Sequence, residues 1–398
     1  MHSRDPGKIE EKINAAFQRE FEAILSAAGE GVADFTQFVF SRANYRERTF
    51  TAECVFRDAT FTQFVRFYRS TFKQSASFQG TKFMQTADFI AVTFAQNTNF
   101  SAATFTQMVS FARAQFLGPA EFRRTHFRQD REALPGPIFS LARFSKPDAV
   151  IFYRTYLGQA LFHNCDISKL NFSSVEWRRR KGSRKRMVFE EVVNLEAPGD
   201  LKPARDRPDE RDYGLIAELY QQLKKNYDER KDYWTAGDFH YGELEMKRLA
   251  SRRRNEVLRW FVQHLRLVAW YKYASHYGES YVRPGLWFFA VLLLFALLYP
   301  VVGLRYDPAK DHTGKGPSPD AIVLSYADPK QPNVGPIEAR LRLFGSSLLT
   351  SLEIAAFQKE PAYQPVYPWG RVFTLVEMLL TSTLATLFFL AVRRQFRR

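Results

Sequence analysis

Cysteine is nearly absent from this chain of 398 residues: only Cys54 and Cys165 occur, in no CxxC pair and with no histidine set beside them. A disulfide framework and a zinc site are therefore not indicated, and a reducing compartment is the simple reading. The first residues, Met1-His-Ser-Arg-Asp-Pro-Gly-Lys8, lead into no apolar core of a signal peptide, so membrane insertion is expected to rely on later segments. There is no nucleophile–base motif, no phosphate-cradling glycine loop and no metal-ligand spacing, so an enzyme, a cofactor and a bound metal are not expected. Charge is missing over one long stretch: Pro284 to Leu304 holds no Asp, Glu, Lys, Arg or His.

Two things are in excess, positive charge and phenylalanine. The net charge is +15 and there are 38 Phe. A basic chain seeks an anionic partner, either nucleic acid or an anionic leaflet. The uncharged stretch favours the leaflet. Residues 286–304 are long enough to cross a hydrocarbon core of roughly 30 Å as a helix. Residues 372–392 form a second candidate span in which Glu377 is the only charge, closed by Arg393 and Arg394. Nine Lys/Arg lie between Lys247 and Arg283, whereas Arg305 to Arg371 carries eight Lys/Arg against seven Asp/Glu. The bias places both termini in the cytoplasm.

Upstream, Lys8 to Ala28 sets Ile9, Ile13, Phe17, Phe21, Ile24, Leu25 and Ala28 three or four residues apart. This is an amphipathic helix, expected to cap the open end of the neighbouring segment. Aromatic residues then recur at Phe35, Phe40, Tyr45, Phe50, Phe56, Phe61, Phe67 and onward to Phe127, first at steps of five and then at alternating six and five. Most are preceded by a small residue two positions earlier, as in Ala59, Ser70, Ala76 and Ala87. After an interruption at Arg128 to Pro137 and a pair at Phe139 and Phe144, steps of five return from Phe152 to Trp177. A period of five fits neither a helix nor a flat strand. It fits a coil that turns one corner per repeat and stacks large and small residues along its axis.

These residues, 35–177, resemble pentapeptide-repeat proteins. The resemblance implies a right-handed quadrilateral β-helix, here of about six coils spaced roughly 4.8 Å apart. Some members mimic DNA with an acidic surface; the exposed positions here include Arg46, Arg57, Arg66, Arg69 and Lys73, which argues against that role. Direct nucleic-acid binding is also not expected, since no recognition module accompanies the basic face.

Next comes a run of seven basic residues in nine, Arg178, Arg179, Arg180, Lys181, Arg184, Lys185 and Arg186. It reads as a solvated linker or as a site for anionic lipid headgroups. The helical period from Tyr213, in Leu219–Tyr227 and Ala236–Met246, resembles the helical hairpin that joins pentapeptide domains to membrane segments in bacterial proteins. Aromatics mixed with cations between Asn255 and Ser275 suit an interfacial helix.

Between the spans, Leu341 to Phe357 reads as a re-entrant helix. The order of span, re-entrant helix, turn, span and basic tail resembles two-span pore-loop ion channels. Their potassium filter needs Gly-x-Gly, and this chain has Ala355, Ala356, Phe357, Gln358, Lys359 and Glu360 there, with no glycine from Ser346 to Trp369. Selectivity, if ions pass, is then expected from a wider opening set by Thr350, Glu353, Gln358 or Glu360. Glu377 and Thr381 either line that opening or pair with the re-entrant helix.

The expected organisation is a capping helix (1–34), the repeat β-helix (35–177), a basic and polar linker (178–212), a helical connector with an interfacial helix (213–283), and a channel-like domain (284–398) with its pore-like segment at 341–360. The expected function is a homo-oligomeric, tetrameric ion-channel-like protein of a bacterial inner membrane, with a cytoplasmic repeat rod for sensing or docking. The alternative is a membrane-anchored scaffold whose rod binds a protein partner without conduction.

Overall fold

Most repeats supply one strand only two to four residues long, which pairs in parallel with the strand one coil earlier. This computed structural model describes residues 6–41, 43–128, 135–196, 212–250, 267–306, 323–324, 336–357, 363–365 and 368–396. It divides into two units, Met1–Arg254 and Asn255–Arg398.

In the first unit the repeats form a β-solenoid of four parallel sheets with seven, four, five and five strands. In a two-residue strand one side chain points in and one out, so the centre and the small residue two positions before it both reach the axis. Phe56, Phe78 and Phe100, with Ala76, Ala87 and Ala103, are buried accordingly. Thr49 pairs with Thr71, 22 residues on, the sum of two five-residue and two six-residue steps. Past the interruption, Ile151 pairs with Asn171, 20 residues on. Between Phe50 and Phe127 each five-residue step turns through a residue in the left-handed region, among them Asp58 (φ 55°), Arg69 (φ 55°) and Arg113 (φ 58°). Each six-residue step spends its extra residue on the corner instead.

The rings stack in register with the backbone. Phe78 lies 5.0 Å from Phe56 and 4.8 Å from Phe100, with interplanar angles of 8° and 4°. Buried hydroxyls in the ladder return to the backbone: Thr125 donates to the Phe100 carbonyl at 2.9 Å and Thr155 to that of Phe122 at 2.8 Å. Such bonds offset the cost of burying a polar group.

Helix α1 (Pro6–Ala28) closes the first coil. Phe21 is fully buried, 4.6 Å from Phe35 and 4.7 Å from Tyr45, and Arg48 pairs with Glu22. The last coil is closed as well. Beyond it lie helices α2 (Phe189–Glu196), α3 (Tyr213–Glu229) and α4 (Tyr233–Leu249). From α3, the Asn226 amide donates to the carbonyls of Ile167, Ser168 and Leu170, and Phe239 of α4 meets Trp177 edge-on at 5.4 Å. Gly242 lets the two helices close up, because a Cβ there would lie 2.5 Å from the Tyr220 ring. Both open ends of the sheets are thereby covered, which removes free strand edges as pairing sites.

The basic run is not a solvated linker. Arg178–Arg179 and Arg186–Met187 form an antiparallel hairpin that leads into α2. Glu191, in the helix that follows, and Asp238, more than fifty residues on, hold it there. Residues 197–211, the remainder of that linker, lie outside the described residues.

The second unit holds α5 (Leu267–Ser275), α6 (Val282–Val302), α7 (Pro336–Ala355) and α8 (Pro368–Phe396). A small antiparallel sheet joins Leu304–Tyr306 to Val323–Leu324 and Tyr363–Pro365. Helices α6 and α8 are long and apolar enough to cross a membrane, with mean hydropathies of 2.4 and 2.0. Only 28% and 17% of their apolar windows are buried, unlike the core helices of a water-soluble fold. Leu286, Phe289, Leu379 and Phe389 are more than 60% exposed. The segment between the spans is longer than the sequence suggested. Helix α7 has 20 residues, begun by Pro336, whose fixed φ and missing N–H suit a first helical turn, and its apolar part is Leu343–Ala355. Of the expected interfacial helix, residues 251–266 lie outside the described residues.

Candidate functional site

A glutamate in the middle of an apolar helix has no water to solvate it and must find donors among its neighbours. Glu377 finds them on both other long helices of the unit. The Tyr299 hydroxyl, near the end of α6, donates to one carboxylate oxygen, and the Ser351 hydroxyl, on α7, donates to the other. Glu377, Ser351 and Tyr299 are each fully buried. The Ser351 oxygen also lies 3.2 Å from the Leu292 carbonyl, but a hydroxyl has one hydrogen. The Glu377 oxygen, the nearer acceptor, takes it.

Around this centre the small hydroxyl residues fold back on their own helices. Ser347 donates to the Leu343 carbonyl at 2.8 Å, Thr350 to that of Ser346 at 2.9 Å, and Thr381 to that of Glu377 at 2.8 Å. Phe295, Leu343 and Ile354 pack about the cluster. The result is a polar knot inside an apolar sleeve, with one residue from each of α6, α7 and α8.

Of the residues singled out for an opening, Thr350, Glu377 and Thr381 come together in this buried zone. Glu353 and Ala355 are half-buried, whereas Ala356 and Phe357 are exposed just after the end of α7. Phe357 adopts φ 59°. Gln358 and Glu360 lie outside the described residues. Tyr299 and Ser351 were not singled out as partners of Glu377. The signal in the sequence is a Tyr closing an apolar run and a serine pair, Ser346 and Ser347, succeeded one turn later by Ser351.

The basic run is a second candidate region, and its charges divide into two sets. Arg180 pairs with Glu191 at 2.6 Å and lies over the Tyr241 ring, while Lys185 and Arg186 meet Asp238 at 3.3 and 3.0 Å. Glu191 accepts a further bond from Tyr220 at 2.7 Å. Arg178 lies over the Phe189 ring at 5.8 Å. The Arg179 guanidinium donates to the Arg184 carbonyl at 3.3 Å. Of the seven cations in the run, Arg179, Lys181 and Arg184 are the exposed ones.

Residues 78–126 match the family model described as pentapeptide repeats (9 copies), within the stretch where the rings stack most regularly. No curated protein and no solved structure matches the chain. The chain thus contains a pentapeptide-repeat β-solenoid, followed by helices of which two have the length and composition of membrane spans.

Proposed function

We propose that this protein is a homo-oligomeric, ion-channel-like membrane protein whose repeat rod docks a protein partner on the cytoplasmic side, with both termini on that side. The observation that carries the reading is the bonding of Glu377 to Tyr299 and Ser351. A two-span anchor has no need of a carboxylate, which costs a few kcal/mol at mid-membrane. Retaining one supports a fixed helix between two spans, the arrangement that pore-loop channels use. One such unit encloses no conduit, so conduction requires several copies, a tetramer by analogy. The polar surface free to line it is the exposed side of α8 that carries Thr383 and Thr386. Their hydroxyls donate to Leu379 and Ser382 carbonyls, leaving oxygen lone pairs outward.

A second reading is favoured by a different feature. Thr350, Glu377 and Thr381 are fully enclosed within one protomer, and no glycine is available for a carbonyl filter. On this reading the helices anchor the chain and the rod is its working part. Reconstitution in planar bilayers, with mass photometry on the same sample, separates the two. Discrete currents from an oligomer, altered by Thr383→Leu, support the channel. A silent monomer sinks it and leaves the anchored scaffold.

A further inference from the structure

The last coil of the solenoid, α2 and α3 enclose a cavity of about 290 Å³. This is the lower end of the range for sites that take small organic ligands. Its floor is Phe162 and Leu219, both buried, and its rim carries the exposed acids Asp166 and Glu218. Glu190, in the first turn of α2, lines it and is only 5% exposed. One carboxylate oxygen of Glu190 accepts from the Phe162 amide, and the other, Oε2, is buried with no donor in hydrogen-bonding geometry, although the amides of His163 and Glu190 itself lie close to the carboxylate.

That orphan oxygen is unsatisfied in either protonation state. Ionised, it needs a donor; protonated, it needs an acceptor. The rim decides which is missing. Asp166 and Glu218 make the mouth acidic on a chain that is otherwise strongly basic, so a cation is drawn to it and an anion repelled. Among the described residues no group of three or more His, Cys, Asp or Glu is placed to hold a metal ion. The apolar floor suits a hydrocarbon stem.

We infer that this cavity binds a small organic cation, an ammonium or guanidinium on a short apolar stem, with its donor hydrogens on Glu190 Oε2. The source is either a free amine or a basic side chain of a docked peptide. The site lies wholly within the first unit and does not depend on conduction. Burial pushes the Glu190 carboxyl up to about 7, partly offset by the backbone amides of Phe162, Glu190 itself and His163. The other titratable groups around it are His163, Cys165 and Asp166 on the coil and Glu218 on α3. A bound cation favours the ionised form, so binding strengthens as pH rises from 6 to 8 and releases a proton.

The test is calorimetry on the full-length protein in detergent with n-butylammonium, butylguanidinium, butyrate and 1-butanol as probes. Saturable binding of the two cations alone, weakened at least tenfold by both Glu190→Gln and Glu218→Lys, is the expected result. Glu218 is an exposed helix position, so its replacement leaves the fold intact and only the mouth altered. A lysine-containing tripeptide against its acetyl-lysine counterpart distinguishes the sources: tighter binding than butylammonium indicates a peptide, weaker binding a free amine. Equal binding of butanol, or a Glu190→Gln protein that binds as the wild type does, overturns the inference.

Discussion

The indole nitrogen of Trp177 donates to the hydroxyl of Tyr227 at 2.9 Å, tying the last repeat centre to the helix that closes the solenoid. Both side chains are about 5% exposed, and burial pushes the Tyr227 hydroxyl up to about 12. Tyr227→Phe leaves the indole N–H buried without an acceptor. A loss of about 1–3 kcal/mol is expected. Urea unfolding monitored by Trp fluorescence measures it, and a change below 0.5 kcal/mol, about the size of an ordinary surface substitution, contradicts the closing role.

The ring ladder makes a sharper contrast. Phe78 is stacked on both sides, whereas Phe64 is 38% exposed on the outer surface. Phe78→Ala is expected to cost about 3–5 kcal/mol, the range for a core Phe, and Phe64→Ala less than about 1. Denaturation of the two variants side by side is the check. Equal losses rule out an axial core as the source of stability.

Glu190 makes stability depend on pH. Its carboxyl is raised from 4.5 to about 7 by burial, so the folded state holds a proton that the unfolded state has already released. The contribution is complete below pH 4.5 and is lost as pH rises through 7, by about 3 kcal/mol at one pH unit per 1.36 kcal/mol. Glu190→Gln removes the dependence. Melting curves at pH 5 and pH 8 are therefore expected to place the variant above wild type at pH 8 and close to it at pH 5; the reverse order refutes the assignment.

In the second unit, Tyr299→Phe removes one of two donors to Glu377. Side-chain hydrogen bonds between membrane helices are worth about 0.6–2 kcal/mol. Tyr299→Phe and Ser351→Ala are each expected to lower detergent thermostability and, because they share one acceptor, to combine non-additively. A double-mutant cycle by fluorescence-detected size exclusion reads the coupling. Strict additivity means that the two hydroxyls do not serve the same carboxylate.

The solenoid was legible in the sequence because its signal is local and repeated: each centre and the small residue before it lie within one strand. The spans were legible for the same reason. Partners far apart in sequence were not. The basic run looked like a linker because Asp238, which holds Lys185 and Arg186, lies more than fifty residues away in another helix. Likewise, Tyr299 and Glu377 are 78 residues apart. Charge density identifies a cation-rich stretch but says nothing of which cations are already neutralised. The length of α7 was missed because charges at Glu338, Arg340 and Arg342 interrupt the apolar pattern while leaving helix propensity intact.

Impermeant maleimide labelling of single introduced cysteines in sealed vesicles tests the central claim most directly. Cys54 and Cys165 are buried, with their thiols pushed up by burial, so the background is low. Lys73→Cys on the solenoid and Phe396→Cys at the end of α8 are expected to label from one side, and Lys315→Cys between the spans from the other. Labelling of all three from the same side would contradict two membrane crossings.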